Sequence, residues 1–147
     1  MLALPMSQES VATPPSALRS RTMAAVKGKN TKPEIRVRRA LHAAGFRFRL
    51  HRKDLPGHPD IVLPRYRIAV MVNGCFWHGH DCRRGSRIPA SNASYWIPKI
   101  ERNRRRDQLA NKLLVERGWT VVTIWECELA ESTERLIVSL RELRDHY

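Results

Sequence analysis

The segment that most constrains this chain is Gly74-Cys75-Phe76-Trp77-His78-Gly79-His80-Asp81-Cys82. It holds two of the three cysteines and two of the six histidines of the 147-residue sequence. It also opens a run over residues 74–98 in which neither helix nor strand periodicity is evident. An irregular segment of that length is unusual in a compact domain, unless it serves a function or is tied down by a metal.

The cysteines of this segment, with one histidine, form the pattern of a metal site. Cys75, His80 and Cys82 are spaced C-x4-H-x-C, and Cys127 is the remaining cysteine. Such a set favours a metal over a disulfide in a cytosolic chain, and three thiolates with one imidazole are typical of structural Zn²⁺. The alternative is three unrelated thiols. Spacing alone leaves the histidine undecided: the substitutes for His80 are His51, His58 and, nearest, His78.

Regular elements are predicted on both sides of the irregular run. Before it we expect helices over residues 19–29 and 33–44, and strands over residues 46–50, 60–63 and 68–72. After it we expect a helix over 99–117 with Ile100, Leu109 and Leu113 on its core face, a strand over 121–124, and a helix over 131–144. This order indicates an α/β or α+β sheet flanked by helices. Residues 1–18 are predicted to be a disordered lead-in, and residues 19–147 a single domain.

The charge of the chain points to a polyanionic partner. Lys and Arg number 27 against 14 Asp and Glu, which gives a net charge of +13 and a pI near 10.8. The excess is clustered: residues 19–53 hold twelve basic side chains and one acid, and residues 99–106 hold five more basic side chains. Such clustering favours a nucleic acid as the partner.

The expected setting is the cytoplasm, with association with the nucleoid when the protein is bound to DNA. No apolar run approaches the ~18 residues of a membrane span. The N-terminus lacks the basic region and apolar stretch of a secretory signal. A monomer is expected, because no extra hydrophobic interface is evident in the sequence.

Two acids stand out in the basic half of the sequence. Asp60 opens a predicted strand after Gly57-His58-Pro59, where a carboxylate is well placed to hold Mg²⁺ against a phosphate. Glu34 lies at the start of a basic helix, and both acids are alternatively charge-balanced surface residues. His78 is the best candidate proton acceptor, since imidazole takes a proton near neutral pH. The alternative is that a histidine in so polar a loop has no role.

Aromatic side chains are predicted on loops of this cationic chain. Phe76 and Trp77 lie in the cysteine segment, and Tyr95 and Trp96 precede a basic helix. Large rings at such places are suited to stacking on bases or wedging between base pairs. The alternative is that they pack the loop onto the body of the protein. Two further tryptophans flank an apolar strand and are predicted to be core residues, Trp119 and Trp125.

Together these stretches resemble the very short patch repair (Vsr) family of DNA mismatch endonucleases. The matching stretches are Arg19-Ser20-Arg21-Thr22-Met23, residues 31–41, residues 55–60, residues 74–82, residues 95–103 and Trp125-Glu126-Cys127. The Gly-Cys-Phe-Trp-His-x-His-x-Cys run, combined with the distant Trp-Glu-Cys, is highly specific. The resemblance covers about residues 19–128, most of the chain.

The resemblance implies a restriction-endonuclease-like fold, with a central mixed sheet flanked by helices and a structural zinc. It implies an enzyme that needs Mg²⁺ and cuts one strand of double-stranded DNA 5′ to the mispaired T of a T:G mismatch, the lesion left by deamination of 5-methylcytosine. By motif position, Asp60 resembles the Mg²⁺ ligand, the Val72 carbonyl a second ligand, His78 the general base and Glu34 a further acid. The zinc set by resemblance is Cys75, His80, Cys82 and Cys127.

The resemblance also implies a DNA-binding set. Phe76, Trp77 and Trp96 resemble the intercalating aromatics of the family. Three other residues resemble its contacts to the mismatch and its surroundings, namely Met23, Lys99 and Asn103. The basic side chains beside them are expected to contact phosphates: Arg102, Arg104, Arg105 and Arg106.

The chain departs from the family pattern at two positions of the expected catalytic strand. Val72 and Asn73 stand where the well-known member has a hydroxyl residue and a histidine. A backbone ligand tolerates Val72. Asn73 can hydrogen-bond a water bound to the metal but cannot take its proton, so its catalytic role is open. Gly79 also thins a histidine cluster, with no predicted loss of zinc ligands.

Two other functions compete with mismatch nicking. One is a non-catalytic, zinc-stabilised DNA-binding protein, and the other is a related nuclease that acts on other mismatched or modified DNA. The sequence leaves open the flanking bases, the number of Mg²⁺ ions and whether mismatch-repair proteins are partners that recruit the chain.

Overall fold

A four-stranded sheet with helices packed against it forms the frame of the protein. The structure is a computed structural model that describes residues 30–83 and 85–146, so the predicted lead-in, the predicted helix over 19–29 and Met23 lie outside it. The helices are α1 (Lys32–Ala43), α2 (Ala93–Glu116) and α3 (Leu129–Asp145). The strands are β1 (Arg49–Leu50), β2 (Ile61–Leu63), β3 (Ile68–Asn73) and β4 (Thr120–Trp125).

The sheet is mixed, in the order β1-β2-β3-β4. Strands β1, β2 and β3 pair antiparallel, with Ile61 opposite Val70, whereas β3 and β4 pair parallel, with Asn73 opposite Trp125. A parallel pair needs a long crossover, and the segment that contains α2 provides it. The start of β2 therefore lies beside the carboxyl ends of β3 and β4, and the functional residues gather at this end of the sheet.

The two faces of the sheet carry separate hydrophobic clusters because successive strand residues point to opposite sides. Ile61 and Val70 pack with residues of α1 and α3, such as Leu41 and Leu140. Val62 and its neighbours on the other face pack with Leu114 of α2. The predicted α/β sheet flanked by helices is confirmed.

Helix α1 begins and ends as its sequence predicts. The Thr31 hydroxyl accepts a hydrogen bond from the Glu34 amide at 3.3 Å, and Pro33 lies in the first turn, where its missing donor is tolerated. Beyond the C-cap, Gly45 adopts a φ of +90°, a conformation that favours glycine. The buried face of α1 contains Glu34, Val37 and Leu41, so a carboxylate lies in the core.

The predicted start of α2 is wrong, and its predicted core face is confirmed at Ile100, which is buried, but wrong at Leu109. The helix begins at Ala93 rather than at residue 99 and runs through Pro98, so the irregular segment ends sooner than predicted. A proline inside a helix removes one backbone hydrogen bond, but the buried side chains of Trp96 and Ile100 anchor this turn. Leu109 is 58% exposed and does not belong to the core face.

The other differences are smaller. Strand β1 covers only two residues, because Phe46 leaves the sheet to pack edge-on against Tyr66 at 6.1 Å. Helix α3 begins two residues earlier than predicted and ends one residue later. None of the helices in the described residues combines the length and apolar character that a membrane crossing requires.

Candidate active site and metal-ligand clusters

Three cysteines and one histidine come together beside the ends of β3 and β4. Cys75 follows β3 and Cys127 follows β4, and the parallel pairing of these strands brings the two residues close together. His80 and Cys82 approach from the irregular segment, so that the four ligand atoms lie within 4.8 Å of one another. Spacing alone did not distinguish His80 from His78. The structure places His80 in the cluster, with Nδ1 3.5 Å from the Cys127 sulfur.

The chemistry of this donor set fits Zn²⁺. With Zn–S bonds of about 2.3 Å, tetrahedral thiolates lie roughly 3.8 Å apart, a spacing within reach of the arrangement seen here. The amide of Gly85 donates to the Cys82 sulfur at 3.3 Å, and this hydrogen bond lowers the pKa of the Cys82 thiol to about 6. Burial raises the pKa of Cys75 to about 12. A cation would therefore stabilise the deprotonated form of Cys75.

Two neighbours fix the shape of the cluster. A Cβ at Gly85 would lie 1.7 Å from the His80 carbonyl oxygen, so only glycine fits this turn. The His80 ring stacks on Trp125 with centroids 4.1 Å apart and planes 13° apart. Trp125 is half-buried and packs on a cluster ligand rather than in the core, so the core prediction is wrong for this residue. It is confirmed for Trp119, which is buried.

A second cluster joins Glu34, His51 and Asp60, whose ligand atoms also lie within 4.8 Å of one another. Glu34 comes from the first turn of α1, His51 follows β1 and Asp60 precedes β2. The Glu34 side chain is almost fully buried, and its Oε2 lies 2.6 Å from the His51 Nε2 and in contact with the Arg38 guanidinium. The backbone amide of Asn30 donates to Glu34 Oε1 at 3.2 Å.

Asp60 carries unfavourable negative charge. Burial raises the pKa of Asp60 from 3.8 to about 6, and the nearby Glu34 carboxylate adds to this effect. The Val72 amide opposes it by donating to Asp60 Oδ2 at 2.8 Å. A half-buried carboxylate at a strand edge, destabilised by a second carboxylate, is an environment that fits a divalent cation such as Mg²⁺.

His78 belongs to a different arrangement from His80. Its Nδ1 lies 2.6 Å from Asp107 Oδ2, and both side chains are partly exposed, at 28% and 34%. Asp107 comes from α2 and was not identified in the sequence, where it only follows a run of arginines. Asp107 lies one helical turn after Asn103, but without knowing where α2 packs, nothing connects it to His78.

A hollow of about 600 Å³ connects Asp60 with the His78–Asp107 pair. Its lining includes Asp60, Val72, Asn73, His78, Asn103 and Asp107. His58 and Arg106 also line it, and neither was assigned to the catalytic group from the sequence. A more open hollow at the other end of the sheet, beside Phe46 and Tyr66, contains no member of either ligand cluster.

Aromatic rings form a compact group next to the 600 Å³ hollow, where His78 and Asn103 line it. Phe76, Trp77 and Trp96 meet edge to face, with centroids 5.2 to 5.7 Å apart, and Tyr95 packs on Trp96 at 4.8 Å. The Lys99 ammonium lies 5.7 to 5.8 Å from the Trp77, Tyr95 and Trp96 rings, which is cation–π distance.

Comparisons with known proteins agree with this arrangement. The family model of the DNA mismatch endonuclease Vsr matches residues 12–84. The chain is 56% identical over 109 residues to the type II nicking enzyme V.XorIIP of Xanthomonas oryzae pv. oryzae, which covers 74% of this chain and 79% of that protein. The chain belongs to the Vsr family. It is therefore a site-specific DNA endonuclease.

Two further relatives extend the Vsr match over more of the chain. The type II nicking enzyme V.NmeAIP of Neisseria meningitidis is 43% identical over 130 residues, 86% of this chain and 92% of that protein. The DNA mismatch endonuclease Vsr of Escherichia coli is 39% identical over 113 residues, 77% of this chain and 72% of that protein.

The structure places the expected DNA-binding residues of this Vsr-family chain as follows. Phe76 and Trp77 are half-buried on the irregular segment, whereas Trp96 lies on α2 and is only 3% exposed, so its predicted loop position is wrong. The Trp96 Nε1 has no hydrogen-bond partner within the described residues. The Asn103 amide donates to the Trp77 carbonyl at 2.8 Å, which ties the aromatic group to α2.

The arginines of α2 lie on its exposed side. Arg104, Arg105 and Arg106 are all exposed, as is the neighbouring Arg102. Arg105 pairs with Glu101 at 3.3 Å, and Arg106 donates to the Asn103 side-chain oxygen at 2.6 Å. We call these exposed cations of α2 the arginine rim, and one of them, Arg106, lines the 600 Å³ hollow.

Proposed function

We propose that the chain nicks one strand of double-stranded DNA 5′ to the mispaired T of a T:G mismatch, by Mg²⁺-dependent hydrolysis of the phosphodiester. The observation that carries the proposal is the pairing of His78 with Asp107 in the same hollow as Asp60. The relatives are nicking enzymes and a mismatch endonuclease by name, which agrees with the proposal. Repair of deaminated 5-methylcytosine is the proposed context.

In this scheme the Asp60 carboxylate and the Val72 carbonyl are the residues that would hold Mg²⁺. When bound, the ion supplies Lewis-acid polarisation of the scissile phosphate and neutralises its developing charge. The chain positions the carboxylate for this task, because the Val72 amide donates a hydrogen bond to Asp60 Oδ2 at 2.8 Å.

His78 is the proposed general base. The Asp107 carboxylate accepts a hydrogen bond from His78 Nδ1–H, which selects the tautomer whose Nε2 lone pair is free to take a proton from the attacking water. Asp107 also stabilises the imidazolium that results. A base held by a carboxylate in this way is a recurring catalytic arrangement.

Asn73 and Glu34 have supporting roles in the proposal. Asn73 ends β3 and lines the hollow, where its amide can hydrogen-bond a water but cannot take its proton. Glu34 is held between Arg38 and His51 and adds negative charge beside Asp60. Both residues orient groups around the reacting centre, while His78 moves the proton.

The aromatic group and the arginine rim are proposed to select mispaired DNA. Phe76, Trp77 and Trp96 would wedge between bases, and unstacking is least unfavourable at a mismatch. Because Trp96 is buried beneath the other rings, its insertion requires the group to rearrange. Contacts to the mismatch and to phosphates are proposed for Met23, Lys99, Asn103, Arg104, Arg105 and Arg106.

The remaining parts of the scheme are architectural. We propose a restriction-endonuclease-like fold in a single domain over residues 19–147, after a lead-in over residues 1–18. The Cys75, His80, Cys82 and Cys127 cluster would hold one structural Zn²⁺ that replaces a hydrophobic core for the irregular segment. A monomer suffices, because one chain supplies all the groups that the mechanism uses.

A nicking assay tests the proposal. An end-labelled duplex with one T:G mismatch and a matched T:A duplex are incubated with Mg²⁺ or with EDTA. Asp60→Asn is compared with Asp145→Asn, a matched change at an exposed aspartate at the end of α3. We expect a single-strand cut 5′ to the mispaired T, dependent on Mg²⁺ and lost only in Asp60→Asn.

Two results would contradict the proposal. Tight binding of the T:G duplex without any cut supports a non-catalytic DNA-binding protein. Equal cutting of the T:G and T:A duplexes, or preferential cutting of another mismatched or modified duplex, supports a nuclease of different specificity.

A further inference from the structure

We propose that Glu34, His51 and Asp60 form a mixed nitrogen–oxygen site for a divalent transition-metal ion, with the His51 imidazole as a direct ligand. The inference deepens the proposed function and rests on it for Asp60 as a metal-binding carboxylate. It adds a ligand that neither the sequence motifs nor the family resemblance assigns, and it predicts a metal preference.

The ligand atoms are already spaced for a shared cation. All three lie within 4.8 Å of one another, and the His51 Nε2 is 2.6 Å from Glu34 Oε2. Two ligands at right angles, each about 2.1 Å from a cation, lie about 3 Å apart. A small opening of the His51–Glu34 contact therefore makes room for an ion.

The backbone fixes the imidazole relative to Asp60. The His51 amide donates to the Asp60 carbonyl at 3.1 Å, which extends the β1–β2 pairing by one step. His51 has a φ of +46°, so the chain turns sharply where its side chain meets the buried carboxylate. Three separate elements thus deliver one ligand each: α1, the end of β1 and the start of β2.

The local charges leave a deficit that a divalent ion would fill. Glu34 and Asp60 are two carboxylates, and Arg38 is the one guanidinium in contact with them among the described residues. Arg38 uses one lone pair of Glu34 Oε2, and His51 occupies the other. A cation would replace the His51 hydrogen bond while Arg38 keeps its place.

The nitrogen ligand sets the preference among metals. Mg²⁺ takes oxygen ligands and retains water, whereas first-row transition ions accept imidazole readily. The site should therefore bind Mn²⁺, a spin-active probe of this class, more tightly than Mg²⁺. It is distinct from the Cys3His cluster, whose thiolates suit Zn²⁺.

The test uses the zinc-loaded full-length chain titrated with Mn²⁺ and followed by pulsed electron paramagnetic resonance. Nitrogen modulation on the Mn²⁺ signal reports an imidazole ligand directly, without any measurement of nicking. His51→Gln is compared with His42→Gln, a matched change at an exposed histidine in the last turn of α1. Circular dichroism and zinc content establish that both variants fold.

We expect nitrogen modulation in the wild type and in His42→Gln, and its loss in His51→Gln. The Mn²⁺ dissociation constant should rise about tenfold or more in His51→Gln. Mg²⁺ affinity, measured by competition with Mn²⁺, should change less. If His51→Gln does not fold, wild-type chain grown with ¹⁵N-histidine, together with His58→Gln and His78→Gln, gives the same answer by elimination.

Three outcomes overturn the inference: Mn²⁺ binding without nitrogen modulation, modulation that survives in His51→Gln, or no Mn²⁺ binding at all. Nicking of the T:G duplex is measured on the same samples. A wild type that nicks but shows no nitrogen modulation refutes the inference and leaves the proposed function standing. A wild type that shows nitrogen modulation but does not nick refutes the proposed function and leaves the metal site standing.

Discussion

Two clusters of metal-ligating side chains lie at the same end of one sheet, and the chain builds them in opposite ways. The Cys3His cluster draws on an irregular segment and ends with the exposed Cys127. The Glu34, His51 and Asp60 cluster draws on a helix and two strands, and its Glu34 is almost fully buried. The first gathers soft sulfur ligands, and the second gathers hard oxygen ligands with one nitrogen.

The difference indicates what each cluster is for. A segment without regular structure buries little apolar surface, so a metal bound there would contribute to the free energy of folding. Asp60 differs, because burial and the neighbouring Glu34 carboxylate raise its pKa and so disfavour its charged form. Such strain at a site is typical of function rather than stability. The predictions below separate the two roles.

The largest expected effect is on nicking by Asp60→Asn. The substitution keeps an oxygen that can accept from the Val72 amide but removes the charge that would bind Mg²⁺. Losing more than about 5 kcal/mol of transition-state stabilisation slows single-turnover nicking roughly ten-thousandfold. Asp145→Asn serves as the control. Near-normal nicking by Asp60→Asn would show that Asp60 is not the Mg²⁺ ligand that nicking requires.

His78→Ala should slow nicking about a thousandfold while DNA affinity is retained, because a general base contributes on that order. Asp107→Asn should have a smaller effect in the same direction, since it misorients His78 without removing it. Single-turnover rates and gel-shift binding check both variants. Full activity in His78→Ala would require a different proton acceptor.

Cys127→Ser should reduce the free energy of unfolding by about 3 kcal/mol or more, because it removes one of the four ligands of the proposed zinc site. Thermal unfolding and zinc content measure the effect, with about one zinc per chain expected in the wild type. A wild type that is stable and metal-free would show that this cluster has no structural metal.

Asp60→Asn should also stabilise the zinc-loaded chain at neutral pH when no Mg²⁺ is present. The pKa of Asp60 is raised from 3.8 to about 6, so its folded state favours the protonated form. Wild-type stability from this group is present below pH 3.8 and is lost as the pH rises through 6. The variant should gain about 2–3 kcal/mol at pH 7.5, with the gain vanishing near pH 4. Chemical unfolding at both pH values checks this, and a destabilised variant at pH 7.5 contradicts it.

The smallest expected effect is on DNA affinity, from a substitution in the arginine rim of α2. Arg105→Gln should weaken binding of T:G and T:A duplexes alike and lower the salt slope of log K by about one unit. Glu101→Gln removes the negative charge that pairs with Arg105 and serves as the control, with the opposite effect expected on DNA binding. A salt-independent affinity in the wild type would contradict a cationic DNA-binding surface.

Local sequence signals predicted much of this fold and part of the site. Pro33 and Gly45 marked the ends of α1, and the spacing of the cysteines indicated one cluster. The start of α2 was missed because Trp96 packs inward through tertiary contacts that override Pro98. Local propensity cannot report such packing.

The residues missed at the site share one physical cause. Asp107 reaches His78 from α2, and His51 reaches Glu34 across 17 residues of sequence. Each pair depends on where one element packs on another, so no short motif contains both partners. The His80 assignment had the same difficulty, since only the parallel pairing of β3 and β4 brings Cys127 beside His80.

The most direct test of separate roles for the two clusters is a metal-exchange experiment on one sample. Weakly held metal is removed from the wild type with a brief, mild EDTA treatment, and zinc content, thermal unfolding and T:G nicking are followed together. We predict that nicking stops while about one zinc per chain and the folded state remain, and that Mg²⁺ restores nicking. Nicking that continues without Mg²⁺, or stops only when zinc and the fold are lost, would contradict the account.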